Sequence, residues 1–336
     1  MKTVKMLRML ALALSVAGLA LVGCGRVPAQ LEAAAEDPAT LTNEAKALVD
    51  GWHGQSGQLD LAAQKLNRAV EIDPNYAKAY VQVCRLHIFA EFQYSSVFEP
   101  HAAGTAEKAI LKAIALDPTD GYAFVLKGRL YANMNRIAEA KEALATAEKI
   151  GTDSPWLKLN WADIYEREGD FDRAADIYRA VIASGTSDKR ALGSAYAELS
   201  SYYVMRHQWD KADEVHEKHV KLDPTNAWVR GNYAAWLANN GQFARAIPHA
   251  REALQIMDYG AGRDTLATSL YGQWATMLEN GESPERARPY FDEARSILPD
   301  LPHVAYETYK YPASEIIAKM LWKQGYVTKL DIIGPR

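Results

Sequence analysis

The chain has 336 residues, of which 49% are hydrophobic, 24% charged and 10% aromatic, an ordinary soluble composition that excludes disordered, collagenous and multi-span membrane classes. Its 38 Lys and Arg against 42 Asp and Glu leave a net charge of -4, whereas a dedicated nucleic-acid binder is expected to show a basic excess. Two cysteines, Cys24 and Cys84, leave no room for a disulfide framework. The length suits two average domains or one elongated array.

Lys2, Lys5 and Arg8 open the chain with no acid among them, and an apolar run, MLALALSVAGLALV, fills residues 9–22. The run is too short to cross a bilayer, which takes about 20 apolar residues. A charged start, a short apolar stretch and a small-residue end describe a secretory signal over residues 1–23. Leu21-Val22-Gly23-Cys24 resembles the bacterial lipoprotein lipobox. That resemblance implies export across the inner membrane and acylation of Cys24. With Gly25 following in place of Asp, it implies an outer-membrane anchor facing the periplasm. Stable anchoring takes more than one acyl chain, and a lipoprotein has two or three. Losing three bases with the signal leaves the body with 35 bases against 42 acids, or -7. Residues 24–42 are Ala-rich and lack an apolar stripe over their first half, so they read as a tether.

From residue 43 to residue 300 one pattern repeats. An alanine after a Gly-aromatic turn recurs at Ala62, Ala106, Ala140, Ala174, Ala212, Ala246 and Ala287. The intervals are 44, 34, 34, 38, 34 and 41 residues. Twelve residues after the alanine a proline often ends the unit, as at Pro74, Pro118 and Pro224, each preceded by Asp, a pair that stops a helix. Seven after it stands a small or short residue at Ala69, Ala113, Ala147, Val181, Ala253 and Ala294, with His219 the exception. Apolar residues at three and four make each unit two amphipathic helices, and the alanines let their axes approach.

The unit of residues 121–154 carries Phe124, Gly128, Tyr131, Ala140, Leu144 and Ala147, and the next carries Ala162, Tyr165, Gly169, Phe171, Ala174 and Tyr178. These residues resemble the tetratricopeptide repeat (TPR) superfamily. The resemblance covers about three quarters of the chain. It implies an all-α, right-handed α-solenoid of about seven helix pairs. Beyond it, residues 301–336 hold an amphipathic stretch, SEIIAKMLWKQG, suited to cap the last apolar face.

In this superfamily the first helix of each pair lines a concave groove. Its outward positions here are Lys78 and Arg85 in the second unit, Arg129 and Asn133 in the third, Trp156, Asp163 and Arg167 in the fourth, and Trp228 in the sixth. Arg85 and Arg129 hold equivalent places one unit apart, and Arg and Trp dominate binding hot spots. The cochaperone clamp of Lys and Asn is missing, since its positions hold Val81 and Arg85 in the second unit and Val125 and Arg129 in the third. The second unit also has ten inserted residues within EFQYSSVFEPHAAG. Phe92, Tyr94 and Phe98 there make either a longer first helix with a loop folded back, or a second docking edge.

No phosphate loop, nucleophile elbow or HExxH is present. His216 and His219 (HEKH) with His249 form no strict metal-ligand set, Glu166 and Glu168 read as a solvated face, and Cys84 as a buried inert thiol. The expectation is a non-enzymatic, lipid-anchored scaffold or adaptor without cofactor, metal or nucleic acid. Its partners are proteins or peptide segments of the cell envelope, and self-association stays open. The competing expectation is a metal-dependent or hydrolytic enzyme on a helical-repeat scaffold.

Overall fold

The computed structural model is all-helical over the residues it describes, which are 36–52, 55, 57–94 and 100–333, without the side chains of 91–94, 100, 101 and 333. Seven antiparallel pairs follow one another along the chain. They are α1 (Pro38–Asp50) with α2 (Gln58–Ile72), α3 (Ala77–Tyr94) with α4 (Pro100–Leu116), and α5 (Gly121–Asn133) with α6 (Ile137–Ile150). Then come α7 (Pro155–Arg167) with α8 (Phe171–Ala183), and α9 (Lys189–Met205) with α10 (Trp209–Leu222). The last two are α11 (Ala227–Asn239) with α12 (Phe243–Ile256), and α13 (Gly260–Glu279) with α14 (Pro284–Ile297). Three short helices close the array: α15 (Leu301–Tyr309), α16 (Glu315–Lys323) and α17 (Lys329–Ile333). The architecture is the expected right-handed solenoid.

All seven repeat alanines are fully buried, at 0% exposure. The helix axes close over them as the small side chain demands, and Gly128 goes further: a Cβ there would lie 2.5 Å from Leu144 Cδ2. Start signals are local. Asp120, Asp188 and Asn226 cap α5, α9 and α11 by accepting from backbone N–H groups of the first turn, the usual role of Asp and Asn at that place. Asp37 does the same for α1, with Pro38 in the first turn. The folded array therefore begins five residues inside the stretch read as tether.

The irregular intervals have a physical form. The helices α5, α7 and α11 have 13 residues, but α9 has 17 and α13 has 20. These excesses of four and seven match the excesses in the 38- and 41-residue intervals. They appear as added turns at the start of α9 and α13. The ten-residue insert likewise lengthens α3 to 18 and α4 to 17 residues. Phe98 lies outside the described residues, as do the side chains of Phe92 and Tyr94 and all of residues 1–35 with Cys24.

At the carboxyl end, Ile317, Met320 and Leu321 of α16 are buried against a cluster that includes Leu270, Trp274 and Phe291. The expected cap is thus α16, and α15 and α17 extend it. Cys84 is fully buried in α3, and burial raises its thiol pKa far above the ordinary value.

Candidate functional site

First helices of successive repeats stand side by side, and their inward faces enclose a cavity of about 630 Å³. Asp50 and Trp52 close α1 onto it, and α3 contributes Arg85, Ile88 and Phe89. The next two first helices add Tyr122, Val125, Leu126 and Arg129, then Trp156 and Asn160. Lys189, Arg190 and Ser194 come from α9, and Trp228 from α11. Four of the eight residues expected in the groove are therefore brought together: Arg85, Arg129, Trp156 and Trp228.

The other four are not in its lining. Lys78 sits exposed on the first turn of α3, where its charge acts on Asp117 at the outer edge. Asp163 and Arg167 pair with each other at 3.1 Å, one turn apart on α7. They belong to a neighbouring acidic patch, where burial first and Glu198 second raise the pKa of Glu166. Asn133 ends α5 away from the cavity, and its Nδ2 is buried without a partner among the described residues.

What closes the cavity is a residue outside the counted positions. Arg190, in the added first turn of α9, donates from Nη2 to the carbonyls of Val49, Asp50 and Trp52 at 2.7, 2.9 and 3.1 Å, and from Nε to Asp50 O at 3.0 Å. Its guanidinium lies 4.5 Å from the Phe89 ring centre. The carbonyls at a helix C-terminus lack intrahelical donors and carry the negative end of the dipole. A cation from about 140 positions later in the chain thus satisfies the end of α1. The first and fifth repeats meet through this side chain, so the concave face is a chamber and not a continuous trough.

Inside the chamber the charges are held in place. Arg85 forms an ion pair with Asp50. Burial works to raise the Asp50 carboxyl, but Arg85 and Lys46 prevail and hold it below the ordinary value. Asp188 caps α9 with one oxygen and accepts from Trp156 Nε1 at 2.9 Å with the other, which fixes the indole plane. Asn160 is 2% exposed. Its Nδ2 donates to Val125 O at 3.1 Å, while Oδ1 has no partner among the described residues. A buried acceptor left unpaired costs roughly 1–3 kcal/mol, and Asn160 lines the chamber.

A second cavity, of about 470 Å³, lies between α9 and α11 over the floor of α10. Ser200, Val204, His216, His219, Asn232 and Trp236 are among its walls. His216 Nε2 is 2.7 Å from Ser200 Oγ, and its ring stacks on Tyr233 at 5.4 Å. Tyr196 stacks on His219 at 5.8 Å. Burial pushes both imidazoles down to about 4, with His219 adding to the effect on His216. The pair is neutral at physiological pH and packed as part of the repeat. Among the described residues no group of three His, Cys, Asp or Glu side chains gathers as a metal site.

Comparison with known proteins agrees with this architecture. Residues 122–150 match a family described as tetratricopeptide repeat. The chain is 22% identical over 205 residues to the TPR repeat-containing protein YpiA of Bacillus subtilis strain 168, covering 60% of this chain and 44% of that protein. A TPR repeat-containing protein of Dictyostelium discoideum is 26% identical over 95 residues, 26% of this chain and 36% of its own. The chain thus spans less than half the length of the curated relatives it matches. Among solved structures, a monomeric variant of IFIT1 bound to m7Gppp-AAAA superposes with a TM-score of 0.56 at 14% identity, over 87% of this chain and 69% of that one. Yeast Tom70 superposes at 0.51 and 14%, over 72% and 48%. At such identity the likeness shows the fold alone. Together the matches support the TPR family, and proteins of this fold generally mediate protein–protein interaction.

Proposed function

We propose that this protein is a lipid-anchored envelope adaptor that holds a protein or peptide partner at its concave chamber and catalyses no reaction. The observation that carries the reading is the convergence of Arg85, Arg129, Trp156 and Trp228, from four different first helices, on one cavity. Tryptophan and arginine at the centre of a concave, partly desolvated surface are the residues whose loss costs most in binding. The mildly acidic body, -7 without residues 1–23, favours a protein partner over nucleic acid. The anchor rests on the lipobox-like Leu21-Val22-Gly23-Cys24 and on the charged, apolar segment before it. No helix among the described residues is long and apolar enough to cross a membrane.

The test is crosslinking and pull-down from envelope membranes, with the full chain and with Arg85→Ala combined with Arg129→Ala. Capture of the wild-type partner should fall about tenfold or more, the loss typical of truncating a charged contact at an interface centre, while helicity is kept. Normal capture by the double variant, together with loss of capture when Phe92, Tyr94 and Phe98 become Ala, moves the partner to the inserted edge. Cys24→Ser should leave the protein unprocessed or free of the membrane; an acylated, membrane-bound variant would remove the anchor from the reading.

A further inference from the structure

We propose that the slot between α9 and α11 binds a straight hydrocarbon chain of about ten carbons that carries an uncharged head. The site lies beside the chamber and does not depend on a partner occupying it. Three features of the slot define the ligand chemistry.

The first is that the slot is open. Elsewhere along the array neighbouring first helices pack directly, α1 on α3, α3 on α5, α5 on α7, α7 on α9, and α11 on α13. Between α9 and α11 a cavity of about 470 Å³ takes the place of that contact. Its volume falls in the ordinary range of small-molecule pockets, about 300–1,000 Å³. His216 and His219 form its floor, and His219 also lines the chamber, so it is the wall between the two spaces. Apolar side chains left facing water forfeit burial, and a ligand that covers them recovers it.

The second is shape. On α9 the walls are Ala197, Ser200, Ser201, Val204 and Met205, which recur at three and four and share one face. On α11 they are Val229, Asn232 and Trp236, again on one face. At 1.5 Å per residue the α9 stripe runs for about 12 Å. A zigzag of about ten carbons, with bonds of about 1.5 Å, has that length. A flat ring finds less to stack on, because His216 already lies on Tyr233 at 5.4 Å and His219 on Tyr196 at 5.8 Å. Met205, half-exposed at one end of the stripe, is unbranched and adapts to a chain.

The third is charge. Among the described residues the lining holds no Asp, Glu, Lys or Arg. Burial keeps both imidazoles neutral at physiological pH. Ser200 Oγ is 2.7 Å from His216 Nε2, and Ser201 Oγ donates to Ala197 O at 3.1 Å, so both hydroxyls are engaged within the protein. An ionic group would lose water and gain no opposite charge. An uncharged head meets the amide of Asn232, exposed at the mouth.

The experiment is calorimetric titration of the full chain with Cys24→Ser, which has no acyl chain of its own to compete. The probes are hexyl, octyl, decyl and dodecyl maltoside, each below its micelle concentration, with maltose as the head alone. Affinity should rise by about two- to fourfold per methylene up to the decyl chain, fourfold being the value of a fully buried CH₂, and then level off. Maltose should not bind. Decanoate and decyltrimethylammonium should bind about tenfold more weakly than decyl maltoside. Ala197→Trp and Asn232→Trp change exposed positions on opposite walls. Each should keep helicity and melting but weaken decyl maltoside about tenfold or more. The Arg85 and Arg129 double variant should bind it normally, so failure at the slot and failure at the chamber are separate results. The proposal is overturned if decyl maltoside does not bind, if affinity ignores chain length or climbs undiminished past the decyl chain, or if a charged chain binds more tightly. Normal binding by both folded tryptophan variants overturns it as well.

Discussion

The seam between α11 and α13 and the seam between α9 and α11 are built from the same repeat, yet only the first is closed. In the closed seam, Ala234, Ile247 and Ala250 meet Leu266, Leu270 and Trp274, and the cluster continues through Phe291 into α16. In the other, α9 and α11 scarcely touch. The cluster spanning α7 to α10 ends at Val215, the next begins at Val220, and His216 and His219 stand between them. The small-residue slot explains the difference. Ala253 fills it at 0% exposure in the sixth repeat, whereas His219 fills it in the fifth. There even a Cβ on Gly193 would come within 3.1 Å of the imidazole. One oversized side chain at a packing slot props two repeats apart, because interiors packed to crystal density cannot absorb it.

The largest expected effect tests the closed seam. Phe291 is 2% exposed and lies against Trp274 at 4.8 Å and Tyr326 at 4.6 Å. Phe291→Ala should cost about 3–5 kcal/mol by urea unfolding, the usual loss for a buried aromatic. Met205→Ala, at the lip of the open seam and 45% exposed, should cost under about 1 kcal/mol. Equal costs at the two places would show that the seams are packed alike.

The next effect is pH dependence at the open seam. Both histidines titrate near 4 when folded, against an ordinary value of 6.5. The folded state therefore favours the neutral rings. Their contribution is complete above about pH 6.5, is lost as pH falls toward 4, and does not change further below that. His216 faces Ser200, Asp213, Tyr233 and Trp236, and His219 faces Tyr196 and Asp223. Neither Asp outweighs burial. Stability should fall by about 3 kcal/mol for one such histidine across that window, and by less than twice that for the pair because His219 contributes to the shift of His216, over and above the loss from carboxylates. His219→Ala should flatten the slope measured between pH 7 and pH 4.5, and an unchanged slope would mean that the ring is hydrated in solution.

A smaller effect belongs to the chamber. Arg190→Ala removes four donations to the end of α1. Those carbonyls regain water, so the cost should be about 1–2 kcal/mol and local. Hydrogen exchange should quicken in α1 and α2 and leave α13 untouched. Arg190→Lys should not restore protection, because an ammonium lacks the planar fork that reaches three carbonyls. Uniform exchange in the variant would show that the bridge does not hold the first repeat.

These regions also show how far the repeat pattern reads as structure. The buried alanines, the capping stretch around α16, and Arg85, Arg129, Trp156 and Trp228 all follow from local spacing, since each helix pair repeats the same contacts. The added turn of α9 was present as four surplus residues between Ala174 and Ala212, but a surplus does not say which helix lengthens. Arg190 and Asn160 were out of reach for another reason. The role of Arg190 depends on the twist accumulated over five repeats, which brings α9 back to α1, and that of Asn160 on the neighbouring α5, whose Val125 carbonyl it meets; no periodicity within one unit encodes either. Lys78, Asn133, Asp163 and Arg167 stand outside the lining because outward-pointing is a property of one helix, whereas lining a chamber is a property of several.

The smallest effect concerns the turns inside the pairs. Gly169 and Gly241 take left-handed backbone, φ 84° and 72°, between the helices of the fourth and sixth repeats. In the third and fifth repeats the same place holds Asn135 and His207, at φ 59° and 56°. A side chain there crowds the following carbonyl by about 1–2 kcal/mol, less for Asn, whose short amide tolerates the region. Glycine relieves the crowding but adds freedom to the unfolded chain, about 0.5–1 kcal/mol. Asn135→Gly should therefore be close to neutral. His207→Gly should stabilise by about 0.5 kcal/mol, reduced by the loss of the His207 edge contact to Trp209, centroids 5.6 Å apart. His207 directly follows the open seam's first helix, so the two changes separate two causes of its looseness. If His207→Gly stabilises and slows exchange at the end of α9, part of the gap comes from strain in the turn. If it destabilises, the Trp209 contact outweighs the strain and His219 alone props the seam.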